Sequence, residues 1–451
     1  MFLTVLKFEL AYWFKRPLTL LFCVLFFLLA FFSTAADAFL SVGGTGQIHR
    51  NAPFVLAIAM GILTAIGQVI TTAIAGTAVL RDAQLGTQEL LFTTRLSKAG
   101  YLLGRFVGAF VIMAVIYAAM PLGLLIGTLM PWVPADKLGP ITLWGVVQPF
   151  LIIALPNLFF VSALLFAVGA LTRKLFAVYV TGIVLIVVWQ ISQRIASNLD
   201  RIRLSALVDP FALNTVSQVL RYWSTAEKND QLVPLSGVLL QNRLIWVGAA
   251  VALFGLVWAM FRLQLPQGRA GRAEAKREAP VAPLPVPAVS LRYDTGASWR
   301  AMFAQAGFHF RSIVREPAFL ALTVICMINL MVGLWYTSHP NDSARWPLTS
   351  ILAPVVGGSL GLFIVILATL YGGELIWRER QLQADQLQDV LPVPAWVTYG
   401  GKLLAVVLAI ATLPVAASFA GMLMQAAQGY TRFQPLLYLQ LVSADTLPLI
   451  I

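Results

Sequence analysis

Long apolar runs separated by short polar stretches dominate the chain. Each run is close to the roughly 20 residues that an α-helix needs to cross a bilayer. The pattern predicts nine membrane spans and a tenth that begins near residue 436. The nine are approximately residues 18–40, 53–79, 102–130, 146–171, 175–192, 243–262, 318–337, 351–373 and 403–424. The first span is too long and too aromatic for a cleaved signal, so we expect a retained anchor.

Two stretches about 300 residues apart share their order of residue types. Residues 7–17 and 307–317 are both aromatic and basic, and each ends at a proline directly before an apolar span. Two dipeptides further along recur at a spacing of 297 residues: Arg81-Asp82 as Arg378-Glu379, and Gly104-Arg105 as Gly401-Lys402. Matching order and spacing predict two copies of one membrane module.

The duplication predicts an all-α polytopic membrane protein in three parts. Residues 1–262 form a first module of six spans, residues 263–297 a proline-rich cytoplasmic linker, and residues 298–451 an incomplete second module. Four prolines within eight residues favour an extended spacer in the linker. We expect residues 2–15 and 299–316 to form interfacial elbow helices, each closed by a proline.

The second copy stops at Ile451, which corresponds to Ala154 inside the fourth span of the first copy. A membrane protein rarely ends midway through a crossing. We therefore expect the chain to be a piece of a longer protein.

Composition supports an integral membrane protein, with 59% hydrophobic and 11% charged residues. A soluble domain carries about 25% charged residues. The net charge of +12 invites a nucleic-acid partner, but we reject that reading because the basic residues sit at span ends rather than in one patch. Of the 31 Lys and Arg, 21 fall on one side, which predicts a cytoplasmic N-terminus.

The outer loop, residues 193–242, is the weakest point of this topology. Six of the ten outer basic residues lie in it or at its end: Arg194, Arg201, Arg203, Arg221, Lys228 and Arg243. Leu213, Val216, Leu220 and Trp223 repeat at helical spacing within the loop. We expect them to form an amphipathic helix resting on the outer membrane surface.

Enzymatic motifs are absent from the sequence. It contains no G-x-x-x-x-G-K-[ST] phosphate loop, no H-E-x-x-H zinc motif and no G-x-S-x-G nucleophile turn. The two cysteines lie in predicted spans and suit inert packing. We expect neither enzymatic activity nor a bound cofactor or metal in this chain.

Polar residues inside the spans are few, and four of them are candidates for a substrate path: Gln68, Thr72, Gln148 and Asn157. Uncharged polar groups also cross-link membrane helices, so both readings stay open. Gly61, Gly67 and Gly76 predict close helix packing, and Pro156 predicts a local break in the fourth span. No acidic or basic residue falls well inside a predicted span, which argues against an ion-coupled carrier.

The polar break between the second and third spans carries the most informative motif. Its matching positions are Arg81, Asp82, Gly86, Thr87, Glu89, Leu90, Leu91, Tyr101, Leu102, Gly104 and Arg105. This pattern resembles R-(D/E)-x-x-x-G-T-x-E-L-L followed by Y-L-x-G-(R/K), which is found in ABC-2 type permeases. The second copy matches at Arg378, Glu379, Leu387, Gly401 and Lys402. It departs from the pattern where Gln383-Ala384 replace Gly86-Thr87 and Gln386 replaces Glu89.

The resemblance implies a multi-pass permease subunit in the bacterial cytoplasmic membrane. The segment of about 80–101 would be a coupling helix that docks on a separate ATPase dimer, and that partner would bind ATP and Mg. The resemblance favours export of an unknown substrate. The implied coupling residues are Arg81, Asp82, Gly86, Thr87, Glu89, Leu90, Leu91 and Arg105, with Arg378, Glu379, Leu387 and Lys402 in the second copy.

A narrower resemblance, to fused bacterial permeases that continue into a zinc aminopeptidase of the M1 family, leaves one alternative open. The chain would then be a membrane anchor for a downstream peptidase domain and would transport nothing.

Overall fold

The computed structural model describes residues 1–36, 47–93, 96–196, 201–262, 294–339, 345–381 and 393–450. Helices and turns make up these residues, and no strand occurs among them. Nine of the described helical segments are long and apolar enough to cross a membrane. The protein is therefore an all-α polytopic membrane protein, as the hydropathy pattern predicted.

The chain divides into two compact units, Met1–Gln267 and Gly268–Ile451. Residues 263–293 of the predicted linker lie outside the described residues. The first unit contains fourteen described α-helices. They are α1 Phe2–Phe14, α2 Pro17–Ala35, α3 Pro53–Ile74, α4 Leu80–Gln84, α5 Gln88–Phe92, α6 Lys98–Tyr117, α7 Ala119–Thr128, α8 Leu143–Pro149, α9 Leu155–Thr172, α10 Leu175–Ile195, α11 Ile202–Val208, α12 Leu213–Val219, α13 Thr225–Asp230 and α14 Gly237–Met260.

The span α3 packs against α2, α9, α10 and α12 in the first unit. Gly61 and Gly67 of α3, and Gly76 just after its end, allow neighbouring helices to approach closely. A Cβ added at Gly61 would lie 2.6 Å from Leu213, and one added at Gly67 would lie 2.5 Å from the Tyr117 hydroxyl. A Cβ at Gly76 would lie 2.1 Å from Val178. The prediction of close helix packing at these three glycines is confirmed.

The predicted break in the fourth span takes the form of one π-helical turn. This turn covers Phe150–Ala154 and joins α8 to α9. Pro156 has no N–H, and its ring clashes with the carbonyl four residues before it. A π turn accommodates this clash by adding a residue, so the helix continues to Thr172 without a gap.

The amphipathic helix predicted in the outer loop is present as α12, but its apolar stripe faces protein. Val216 and Leu220 are buried in a cluster with Phe54 and Val55 of α3. Leu213 is also buried and packs on Gly61. The expectation that this helix rests on the membrane surface is therefore wrong. An apolar stripe does not distinguish lipid from protein as its partner, because both are apolar.

The second unit contains five described helices. They are α15 Thr295–Val314, α16 Pro317–Ser338, α17 Thr349–Gln381, α18 Ala395–Ala427 and α19 Pro435–Ile450. The helix α15 packs on α18, as α1 packs on α6 in the first unit. A helix, α19, occupies the position of the predicted tenth span and packs against α17 and α18; its 16 described residues are fewer than in any of the nine candidate spans.

Candidate coupling site

A buried cluster of four charged side chains joins three segments of the first unit. Glu9 lies on α1, Arg81 and Asp82 lie on α4, and Arg105 lies on α6. Arg81 donates from Nη2 to Oε1 of Glu9. Arg105 donates from Nη1 to Oε2 of Glu9 and from Nη2 to Oδ1 of Asp82. We call these four residues the charge cluster.

The positive and negative charges of the charge cluster balance one another. Two carboxylates face two guanidinium groups, and Glu9 is fully buried while Arg105 is 3% exposed. The Tyr101 hydroxyl donates to Oδ2 of Asp82 at 2.7 Å. Buried charges are tolerated when they are paired and hydrogen-bonded, and removing one partner typically costs about 3–5 kcal/mol. The charge cluster therefore holds α1, α4 and α6 in one arrangement.

Aromatic side chains of α1 complete the surroundings of this cluster. The Trp13 indole N–H donates to Oε1 of Glu9 at 3.2 Å. The Arg81 guanidinium carbon lies 4.1 Å from the centre of the Tyr12 ring, a distance typical of a cation–π contact. The first helix therefore supplies both the acid and the aromatic wall that receive Arg81.

Two glycines of α6 allow α1 to come close enough for Glu9 to reach Arg105. A Cβ added at Gly104 would lie 2.7 Å from the Cβ of Val5, and one added at Gly108 would lie 2.7 Å from the Cβ of Glu9. No larger residue fits at these crossings without moving α1.

The coupling loop, residues 80–97, leaves the charge cluster as two short helices. A turn at Gly86, whose φ of +68° favours glycine, separates α4 from α5. Thr87 Oγ1 donates to the Asp82 carbonyl at 3.3 Å across this turn. The predicted single coupling helix is therefore two helical turns with a bend, followed by α6. Ser97 caps α6, because its Oγ accepts from the N–H of Gly100.

The tip of the coupling loop exposes apolar side chains. Leu85 is 65% exposed and Leu90 is 73% exposed, whereas Leu91 is half-buried. The backbone of Glu89 lies in α5, and its side chain is outside the described part of the structure. The implied coupling residues thus separate into a buried base (Arg81, Asp82 and Arg105) and an exposed tip.

The second unit keeps part of this arrangement. Lys402 on α18 donates from Nζ to Oε2 of Glu379 on α17. The Lys402 side chain is 9% exposed and that of Glu379 is 18% exposed. His309 stands on α15 at the position of Glu9. The side chain of Arg378 and all of Leu387 lie outside the described residues.

The four candidates for a substrate path make hydrogen bonds within the first unit. Gln68 donates to the Gly182 carbonyl at 3.3 Å, and Gln148 donates to the Val233 carbonyl at 2.7 Å. Thr72 donates to the Gln68 carbonyl of its own helix. Asn157 donates from Nδ2 to Oγ1 of Thr64 at 2.9 Å. Three of the four therefore link α3, α8 or α9 to neighbouring segments, as the cross-linking alternative predicts.

A second buried network was missed by sequence reasoning. Arg243 lies in the second turn of α14, although it was assigned to the end of the outer loop, because the sixth span begins at Gly237 rather than near 243. Its side chain is buried and donates from Nη1 to Oδ1 of Asn157 at 2.5 Å. Arg243 is therefore a buried charge in the second turn of α14, near one end of the span rather than well inside it.

The same network ties the outer loop to the spans. Asn242 donates from Nδ2 to the Asp209 carbonyl at 2.9 Å, and the Asp209 carboxylate accepts from the N–H groups of Phe211 and Asn214. Burial raises the pKa of the Asp209 carboxyl, and these N–H donors and the positive charge of Arg243 oppose that rise. The adjacent polar residues Asn242 and Arg243 were the available signal of this network. Hydropathy alone placed them at the boundary between the outer loop and the sixth span.

Glu9 is the other functional candidate that sequence reasoning missed. It is the only acidic residue between Met1 and Asp37 of the sequence, in an otherwise apolar and basic stretch. That isolation was the available signal. Nothing in the sequence indicated that Arg81 and Arg105 would both reach it.

No group of three or more His, Cys, Asp or Glu side chains that could hold a metal ion occurs among the described residues. The fold and these two networks define a polytopic helical membrane protein with a braced loop between its second and third spans. Comparison with family models, curated proteins and solved structures returned no match. The function is therefore argued from the geometry and from the motif in the coupling loop.

Proposed function

We propose that the chain is the membrane-spanning permease subunit of an ABC-2 type transporter and moves an unknown substrate with energy from a separate ATPase. The observation that carries this proposal is the coupling loop: exposed leucines at its tip stand on a base fixed by buried ion pairs. In this proposal the N-terminus and the coupling loop face the cytoplasm of a bacterial cell, and the ATPase, a dimer, binds ATP and Mg.

The division into base and tip assigns different roles to the implied coupling residues. Arg81, Asp82 and Arg105 are buried and paired with one another or with Glu9, so they position the loop rather than contact the ATPase. The exposed Leu90 enters an apolar groove of the ATPase, and Glu89 stands beside it on α5. Movement of the tip reaches α6 and α1 through the charge cluster, since short ion pairs resist changes in geometry.

The substrate path has a related assignment. Gln68, Thr72, Gln148 and Asn157 brace the spans around a path instead of lining it, because their described donors are bonded to neighbouring carbonyls and hydroxyls. The alternative function, an anchor for a peptidase domain, gives no role to an exposed apolar tip on a braced loop.

The experiment is reconstitution of the full chain with each phosphate-loop ATPase of the ABC class that its genome encodes. We expect the chain alone to hydrolyse no ATP and the complex to show stimulated hydrolysis. Leu90→Asp should weaken association about tenfold or more, since a central apolar interface residue typically costs over 1 kcal/mol. Leu204→Asp is the matched control, because Leu204 is 52% exposed in the outer loop. Equal association of wild type and Leu90→Asp would refute docking at this tip.

A further inference from the structure

A pocket of about 400 Å³ lies in the second unit where three spans end. Its lining residues are Trp335, His339, Arg345, Trp346, Pro347, Ala427 and Gln428. These residues come from the end of α16, the segment before α17 and the end of α18. The pocket is distinct from the Lys402–Glu379 pair, because Lys402 and Ala427 are 25 residues apart on α18, about 37 Å along the helix.

Two side chains of this pocket, Arg345 and Gln428, offer hydrogen-bond donors. Arg345 is exposed and carries a guanidinium group, whose planar donors match phosphate. The Gln428 Nε2 is buried and has no hydrogen-bond partner among the described residues. A buried amide donor without a partner is costly, so it favours an acceptor in the pocket. The donors thus select an anion with several oxygen acceptors.

The walls of the pocket are aromatic and held in place. The His339 ring stacks on Trp335 with centroids 4.2 Å apart, and its Nδ1 lies 3.1 Å from the Trp335 carbonyl. Gln425 is fully buried and donates from Nε2 to the Pro347 carbonyl at 2.7 Å, which fixes the segment beside Trp346. The pocket therefore exists before a ligand arrives.

The level of the pocket along the spans indicates where the anion comes from. Trp335 is 52% exposed and Trp346 is 68% exposed, at the ends of helices that are apolar enough to cross a membrane. Tryptophan is enriched at the level of lipid headgroups, where its ring is half in hydrocarbon. A phosphate bound to Arg345 at this level would have acyl chains that run along the exposed face of Trp335.

From this geometry we propose that the pocket binds the phosphate of an anionic phospholipid. Arg345 and Gln428 Nε2 donate to the phosphate oxygens, and the two tryptophans pack on the glycerol and upper acyl chains. The site is independent of the proposed transport function, because it uses no residue of the coupling loop.

The test is photo-crosslinking of the full chain in phosphatidylcholine nanodiscs that contain a phosphatidylglycerol with a diazirine near its headgroup. Adducts are located by peptide mass spectrometry. We expect adducts on residues 335–339 and 345–347 in wild type, about tenfold fewer in Arg345→Ala and about threefold fewer in Gln428→Leu. Arg432→Ala is the matched control, since Arg432 is exposed, lies outside the pocket and follows the end of α18 by five residues. It should leave the yield unchanged.

Competition separates the possible sources of the phosphate. Unlabelled phosphatidylglycerol should suppress the adducts, whereas glycerol phosphate and diacylglycerol should not. Suppression by glycerol phosphate would indicate a site for soluble anions, and suppression by diacylglycerol would indicate apolar contact without phosphate recognition. Either result, or an equal loss in Arg345→Ala and Arg432→Ala, would overturn the proposal.

Discussion

The first and second units fix the base of the loop between matching spans in different ways. In the first unit, Glu9 and Asp82 both pair with Arg105, so α1, α4 and α6 are locked together. In the second unit, the described pair Lys402–Glu379 joins α18 directly to α17, and His309 stands on α15 at the position of Glu9. The ion pair across the loop is shared, whereas a carboxylate on the helix before the first span joins the described network only in the first unit.

This difference shows which interaction can vary. A guanidinium group can satisfy two carboxylates at once, whereas an ammonium group is a point charge. Arg105 contacts two carboxylates in the first unit, whereas Lys402 contacts one described carboxylate in the second. The donor geometry of each cation suits that number. The predictions below test that correspondence between the cation and its acids.

The largest effect is expected from removal of the cation. Arg105→Met would leave two buried carboxylates, Glu9 and Asp82, with Arg81 as the one remaining cation of the charge cluster, and should lower the free energy of unfolding by about 3–5 kcal/mol. Lys402→Met should cost roughly 1–2 kcal/mol, because Glu379 is partly exposed and keeps some hydration. Thermal unfolding of the detergent-purified chain measures both. Equal losses would mean that the two sites are equivalent.

A smaller effect is expected where α1 crosses α6 and where α15 crosses α18. Gly104→Ala would place a Cβ 2.7 Å from Val5 and should cost about 1–3 kcal/mol. The nearest atom to a Cβ at Gly401 is 3.1 Å away on Gln305, so Gly401→Ala should cost less. Gly248→Ala is the control, because nothing lies within 4 Å of that position. If Gly401→Ala lowered the free energy of unfolding more than Gly104→Ala, the tighter helix crossing would lie in the second unit and not in the first.

The smallest effect is expected at the caps of the spans that follow the two loops. Ser97 caps α6, and its replacement by Ala should cost about 1 kcal/mol. Pro394 precedes α18 and provides no side-chain cap. In Pro394→Ser the new cap offsets the lost rigidity of proline, so the net change should stay within about 0.5 kcal/mol. Amide hydrogen exchange at residues 98–101 and 395–398 measures the local fraying. Unchanged exchange at residues 98–101 in Ser97→Ala would contradict a role for the cap.

Hydropathy predicted the spans because bilayer thickness sets their length, and nine of them are present as helical segments. The motif also led to Arg81, Asp82 and Arg105. Their burial was not predictable, because charged residues in a polar break normally face solvent. Pairing with Glu9, 72 residues before Arg81, depends on the crossing of α1 and α6.

The outer loop shows a second limit of sequence reasoning. The helical spacing of Leu213, Val216 and Leu220 predicted a helix. It did not predict whether the apolar face of that helix packs against lipid or against other helices of the protein. Arg243 was placed in the loop because a hydropathy window treats any charge as a boundary. A charge whose hydrogen bonds are all met inside the protein escapes that rule.

The helices α17 and α18 are each 33 residues long, which corresponds to about 50 Å. A hydrocarbon layer of about 30 Å covers little more than half of that length. With a small tilt, and with the excess length on the side of the Glu379–Lys402 pair, roughly 20 Å of each helix would stand outside the acyl chains as a two-helix stalk. The Glu379–Lys402 pair fastens the two members of this stalk. A rotation of the two helices by about 10° within the bilayer would move the far end of the stalk by roughly 3–4 Å. A displacement of that size is enough to break a hydrogen bond, so the length of the stalk amplifies a small rotation.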